Sequence, residues 1–159
     1  DQIIDITNGR ANTFYDSDEV IHIDFTVPYC TELRDVLLIA GSKNDIALVN
    51  GGTYVSVNGP RLETAAEIAL FARNGGDVVG MTGMPEACLA RELEICFSCT
   101  AVVTNSAAGL SSGRLTATEV VDTMKVSMER IRSLLMTTLC TIPAKRSCEC
   151  RHALKDAIL

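Results

Sequence analysis

Two polar clusters stand where glycine and proline break the chain. The first reads Gly59-Pro60-Arg61-Leu62-Glu63-Thr64-Ala65-Ala66-Glu67, and the second Gly76-Asp77-Val78-Val79-Gly80-Met81-Thr82-Gly83-Met84-Pro85-Glu86. Each places a carboxylate or hydroxyl beside a turn that opens into a helix. Unsatisfied backbone N–H groups there can hold a small polar or anionic ligand. Glu63 has two readings: it stabilises a helix start through the dipole, or it accepts an N–H from a ligand. Thr82 either caps a helix or holds phosphate. Asn105 ends an apolar run and either makes a turn or offers its amide to a ligand. His22 is either a structural side chain or a ligand contact. The sequence contains no Ser/His/Asp order, nucleotide P-loop or HExxH motif.

These residues need a frame, and hydrophobic spacing supplies one. Residues 2–6, 46–49, 53–57, 77–81 and 96–104 read as strands, and 20–25 alternates as a half-buried strand does. Helical spacing covers 32–40, 64–73, 85–94 and 116–139, and a short final helix is expected over 148–158. Thr116 and Glu119 have capping-box spacing. Residues 107–114 form a loop rich in Gly and Ser. Strands alternating with helices predict a single α/β domain over 1–159, with a central sheet between helices. Ligands in such sheets bind where strands end. Three ends carry useful residues: 59–63, 81–82 and 104–105.

Composition narrows the function. The chain has 159 residues, 47% hydrophobic and 21% charged, with net charge -6. No basic stripe is present, so nucleic acid is not an expected partner. No apolar run reaches membrane-spanning length, and no targeting segment is visible, so a cytoplasmic location is expected. The chain opens directly on a strand without an initiator Met, and an upstream natural start is expected.

Seven cysteines, an odd number, argue against a secreted disulfide scaffold. Cys88, Cys96 and Cys99 read as small buried hydrophobes. Cys148-Glu149-Cys150 lacks the C-x2-C repeat of a zinc site; the pair reads as a strained local disulfide or as partners for cysteines elsewhere, and no metal is expected.

Taken together, the motifs resemble the methylthioadenosine/purine nucleoside phosphorylase family, in its trimeric branch. The markers are the two opening segments, Asp1 to Asp5, Asn8-Gly9-Arg10, Thr13-Phe14-Tyr15, Pro28-Tyr29-Cys30-Thr31-Glu32-Leu33-Arg34, Thr104-Asn105 and the Cys-x-Cys tail. The tail is similar to archaeal members. The resemblance implies the three-layer phosphorylase/hydrolase-like fold with a central mixed sheet. It implies phosphorolysis of a purine nucleoside to free base and (methylthio)ribose 1-phosphate in purine salvage. Phosphate is then a co-substrate, no cofactor is needed, and a trimer or dimer of trimers is expected.

The resemblance also distributes roles. Met81 would hold the ribose, and Thr82 would bind phosphate. Asn105 would be the catalytic contact to the purine, flanked by Ser106 and Ala107, with Glu63 on the six-membered ring. Ala117 and Val121 would line the 5′ pocket, and His22 would reach across an interface to a neighbour's substrate. Adenine-specific relatives carry two aspartates where this chain has Asn105 and Ala107. An Asn amide suits a 6-oxopurine, since it donates to O6 and accepts from the ring, while Glu63 accepts a ring N–H. Inosine, guanosine and methylthioinosine are therefore the expected substrates. An adenine-specific phosphorylase and a non-catalytic purine-binding fragment are the alternatives. Leu62 stands where the family has Phe or Tyr, which removes stacking worth about 1 kcal/mol. The family's Gly-rich phosphate loop and Arg-His pair have no counterpart, so the chain reads as the C-terminal portion of the domain. Thr82 is the one matched phosphate ligand, and the isolated chain is expected to be poor at phosphorolysis.

Overall fold

A computed structural model of the chain describes residues 1–17, 19–111 and 116–158. Three parallel strands form a sheet in chain order: β1 (Gln2–Asp5), β2 (Thr53–Ser56) and β3 (Val78–Gly80). Parallel neighbours need crossovers, and helices provide them. α1 (Thr31–Lys43) lies between β1 and β2 in the chain, and α2 (Ala65–Arg73) between β2 and β3. α3 (Glu86–Glu92) and the long α4 (Ala117–Thr141) follow, and a 3-10 turn (Glu149–His152) comes last.

Side chains of a strand alternate between faces. Ile4 accordingly packs with Val55, Val57, Ile68 and Phe71, the core beneath α2. Its neighbour Ile3 packs on the other side with Met84, Ala87 and Cys88 of the α3 layer, together with Ile23 and Phe25. The result is helix, sheet, helix, as the sequence pattern requires. α4 lies against α1 through buried Leu134 and Thr138, and Asn44 at the end of α1 donates its amide to Thr137 Oγ1 at 2.9 Å.

α2 has the firmest local start. Thr64 Oγ1 accepts the Glu67 amide at 3.1 Å, and the Glu67 carboxylate accepts the Thr64 amide at 2.7 Å. Such a cap contributes about 1 kcal/mol. At α4 half of the expected box forms: Thr116 Oγ1 accepts the Glu119 amide at 3.3 Å.

Several elements differ from expectation. Among the described residues both ladders are parallel, not mixed. The 20–25 run makes one antiparallel bridge, Ile21 to Ile158, while 46–49 and 96–104 make no ladder. An apolar run becomes a strand only where a neighbouring edge accepts its hydrogen bonds. The 85–94 helix narrows to 86–92, and the last helix to the 3-10 turn. Part of the 107–114 loop lies outside the described residues. Among the described residues no helix is long and apolar enough to cross a membrane.

Candidate active site

The carboxyl ends of the strands meet in a cleft of about 230 Å³ lined by Ile6, Asn8, Val57, Asn58, Arg61 and Glu63, among others. Arg10, on the loop after β1, braces this edge. Its guanidinium donates to the carbonyls of Val57 at 3.1 Å and Met81 at 3.0 Å, and also to Met84. One cation thus ties together the loops that follow all three strands. Asn8 and Asn58 add a reciprocal pair: the Asn8 amide N–H donates to Asn58 Oδ1 at 3.1 Å, and Asn58 Nδ2 donates to the Asn8 carbonyl at 3.0 Å. Sequence reading took Asn8-Gly9-Arg10 as a family marker and missed the bracing role. The types alone do not reveal it, since the acceptors come from remote turns.

Gly59 takes φ +68°, and a Cβ there would strike the Met81 side chain. Glycine therefore lets the two opening segments touch directly. Arg61 then grips Glu67 through both oxygens, at 2.9 and 2.7 Å. The Arg61 bonds, helped by the Thr64 amide, hold the Glu67 carboxyl far below its ordinary value of 4.5, at about 2. Glu67 is thus fully engaged. Half-buried Glu63, in the same cleft, has no ion-pair partner among the described residues. Of the two carboxylates, Glu63 is the one whose acceptors remain available to a ligand.

Other proposed residues gather around the same core. Met81 and Ala107 both pack on the cluster containing Val57 and Phe71, which also line the cleft. Thr82 is exposed beside Met81, and its amide donates to the Tyr54 hydroxyl at 3.4 Å. Asn105 is bonded locally: Nδ2 donates to the Ser106 carbonyl at 2.9 Å, and Oδ1 accepts from Thr104 Oγ1 at 2.7 Å. Thr123 Oγ1 on α4 donates to the Thr104 carbonyl at 3.2 Å, which holds this segment under the helix.

Of the proposed residues, Glu63 lines the cleft and Met81 and Ala107 pack against its apolar wall, while Thr82, Asn105 and Ser106 lie outside its lining, as do Ala117, Val121 and His22. Ala117 and Val121 are exposed on the first turns of α4. His22 is exposed, and its backbone N–H donates to the Ala157 carbonyl at 2.9 Å, far in sequence from the cleft loops. A larger cavity, about 520 Å³, lies at the opposite edge of the sheet and is lined by Asp1, Gly51, Gly52 and Asp77. Parallel sheets place ligand chemistry at their carboxyl edge. The smaller cleft, where Glu63 sits, is the candidate site.

A model of the phosphorylase superfamily matches residues 1–139. The chain belongs to the phosphorylase superfamily. A probable S-methyl-5′-thioinosine phosphorylase of Thermodesulfovibrio yellowstonii is 53% identical over 98% of the chain and 59% of that protein. The 6-oxopurine nucleoside phosphorylase of Pyrococcus furiosus is 49% identical over 99% of the chain and 62% of that protein. A methylthioadenosine phosphorylase from an antarctic soil metagenomic library has a crystal structure that superposes with a TM-score of 0.90 at 29% identity, covering 100% of the chain and 57% of that one. The chain therefore spans about three fifths of the length of the curated relatives it matches.

The cysteines hold a feature that sequence reading did not find. The Sγ atoms of Cys30, Cys96, Cys148 and Cys150 all lie within 4.8 Å of one another. The expectation of no metal weighed only the C-x-C pair, but the fold adds two more thiols to it. Cys88 is buried as expected, whereas Cys99 is exposed.

Proposed function

We propose that the protein carrying this chain cleaves 6-oxopurine nucleosides with inorganic phosphate, releasing the free base and ribose 1-phosphate or its 5-methylthio form. The observation that carries the reading is the cleft itself, with Glu63 available while its neighbour Glu67 is locked to Arg61. The names of the relatives, thioinosine and 6-oxopurine phosphorylases, point to the same bases.

The chemistry follows from charge. As the glycosidic bond breaks, the ribose becomes cationic and the purine carries electrons away. Donors aimed at the departing base stabilise the transition state more than the ground state. In this reading Asn105 exchanges its bond to the Ser106 carbonyl for one to purine O6, and Glu63 accepts the ring N–H. Ser106 and Ala107 shape the wall beside the base, and Met81 lies against the sugar. Thr82 contributes a hydroxyl to phosphate on the opposite face. Exposed Ala117 and Val121 meet the 5′ group when α4 is packed in the assembly, and exposed His22 serves a neighbouring subunit. A homo-oligomer, trimeric or a dimer of trimers, and a cytoplasmic location complete the proposal.

The test is phosphate-dependent base release by the whole protein from inosine, guanosine, methylthioinosine and methylthioadenosine. Turnover of 6-oxopurine substrates with little of the adenine one is expected. Turnover confined to methylthioadenosine would overturn the reading.

A further inference from the structure

The four clustered thiols come from distant parts of the chain. Cys30 is the N-cap of α1, Cys96 follows α3, Cys148 is the N-cap of the 3-10 turn, and buried Cys150 lies within it. We propose that Cys30, Cys96, Cys148 and Cys150 bind one zinc ion as a tetrathiolate centre that anchors the 146–150 segment against α1 and α3.

The geometry is that of a common centre, not of separate pairs. A tetrahedral zinc with bonds of about 2.3 Å sets its sulfurs about 3.8 Å apart. The observed thiols are mutually within 4.8 Å, and Cys96 and Cys148 are 3.3 Å apart as a thiol hydrogen bond. Closing the shell draws the wider-spaced thiols in by up to about 1 Å and lets Cys96 and Cys148 part by about 0.5 Å. Two disulfides would instead require the quartet to divide into pairs at about 2 Å.

The surroundings already hold the ligands in place, as outer-shell groups do at metal centres. The Cys30 amide donates to the Phe97 carbonyl at 2.7 Å, which ties α1 to the Cys96 segment. Glu32 accepts the amides of Ser147 at 3.1 Å and Cys148 at 3.2 Å, which fixes the loop that delivers the C-x-C pair. Arg146 donates to the Glu94 carbonyl at 2.7 Å and reaches Cys96 Sγ at 3.8 Å. A zinc tetrathiolate carries two net negative charges, and Arg146 is positioned to offset part of them. Among the thiols, burial raises Cys148 and Cys150, Cys150 to about 11. Burial also opposes ionisation of Cys96, but bonds from Cys148 and Arg146 outweigh it and the net direction is down. Binding the dication drives deprotonation of the thiols. On binding, four S–H groups release protons to solvent and four Zn–S bonds form. No electron is transferred.

The experiment uses the whole protein, purified anaerobically with reductant, exposed to zinc sulfate and desalted. About one zinc per chain is expected by atomic spectroscopy. Cys148→Ser/Cys150→Ser should drop below about a tenth of that value, and Cys140→Ser should keep it. Should the double variant fold poorly, cobalt added to the unsubstituted protein supplies the second measurement. Intense thiolate-to-cobalt and tetrahedral ligand-field bands are expected, and zinc should bleach them. Three results would each overturn the proposal: no bound zinc and no such cobalt spectrum, zinc retained by the double variant, or a disulfide among the four cysteines in the reduced sample.

Discussion

The two edges of the sheet are built from the same three strands and differ in almost every other respect. At the carboxyl edge, Arg10, the Asn8–Asn58 pair and the Arg61–Glu67 pair cross-link the loops around a small cleft. At the amino edge, the larger cavity is lined by α1 and by loops with exposed Val49 and Val103, and the buried Tyr29 hydroxyl and Arg34 Nε have no hydrogen-bond partner among the described residues. Volume does not mark the site. A ligand is recognised by convergent polar groups held rigidly, and rigidity comes from loops tied to one another.

If the carboxyl edge is where the chemistry happens, Glu63→Ala should have the largest effect. Loss of a charged acceptor to the base is expected to lower kcat/KM about 100-fold, or about 3 kcal/mol. An equal loss from Val49→Thr or Val103→Thr at the amino edge would reverse the comparison. Arg10→Ala comes next. It strands partly buried carbonyls and should reduce unfolding free energy by about 3 kcal/mol in urea titrations, whereas the two valine substitutions should each stay within about 0.5 kcal/mol. Asn105→Asp should move substrate preference toward the 6-amino base about tenfold, read as a ratio of kcat/KM values for methylthioadenosine and methylthioinosine. An unchanged ratio would remove Asn105 from the specificity argument.

The smallest effect concerns pH. Bonds from Arg61 and Thr64 depress the Glu67 carboxyl from 4.5 to about 2 in the folded chain. A depressed acid stabilises the fold above its unfolded value, and this contribution fades as pH falls through the folded value. The difference in melting temperature between the parent and Glu67→Gln should therefore be constant above about pH 5.5 and shrink between about pH 4.5 and 2. A difference that grew on acidification would contradict the Arg61–Glu67 pairing.

Local features of the molecule were readable in the amino-acid sequence, and remote ones were not. α2 was readable because Thr64, its apolar stripe and the Asn74-Gly75-Gly76 stop all lie within a short window. β1, β2 and β3 were readable from short apolar runs. Residues 96–104 have the same composition yet no ladder, because pairing depends on an edge that the run itself cannot supply. Glu63, Met81 and Thr82 were singled out because each stands at a turn. Arg10 was missed because its acceptors lie 47 to 74 positions away. The thiol quartet escaped for the same reason: spacing rules see Cys148 and Cys150, and only folding adds Cys30 and Cys96.

The clasp between Glu32 and the 147–148 backbone joins groups 115 and 116 positions apart. At roughly 5–20 residues per second of synthesis, the first partner leaves the ribosome about 6–23 s before the second. For that interval α1 must wait with Cys30 and Glu32 unclasped, long after its own turns have formed in microseconds. The nascent chain therefore passes through a stage in which α1 is shaped but not yet anchored. That stage is when a chaperone or an oxidant would find it most accessible.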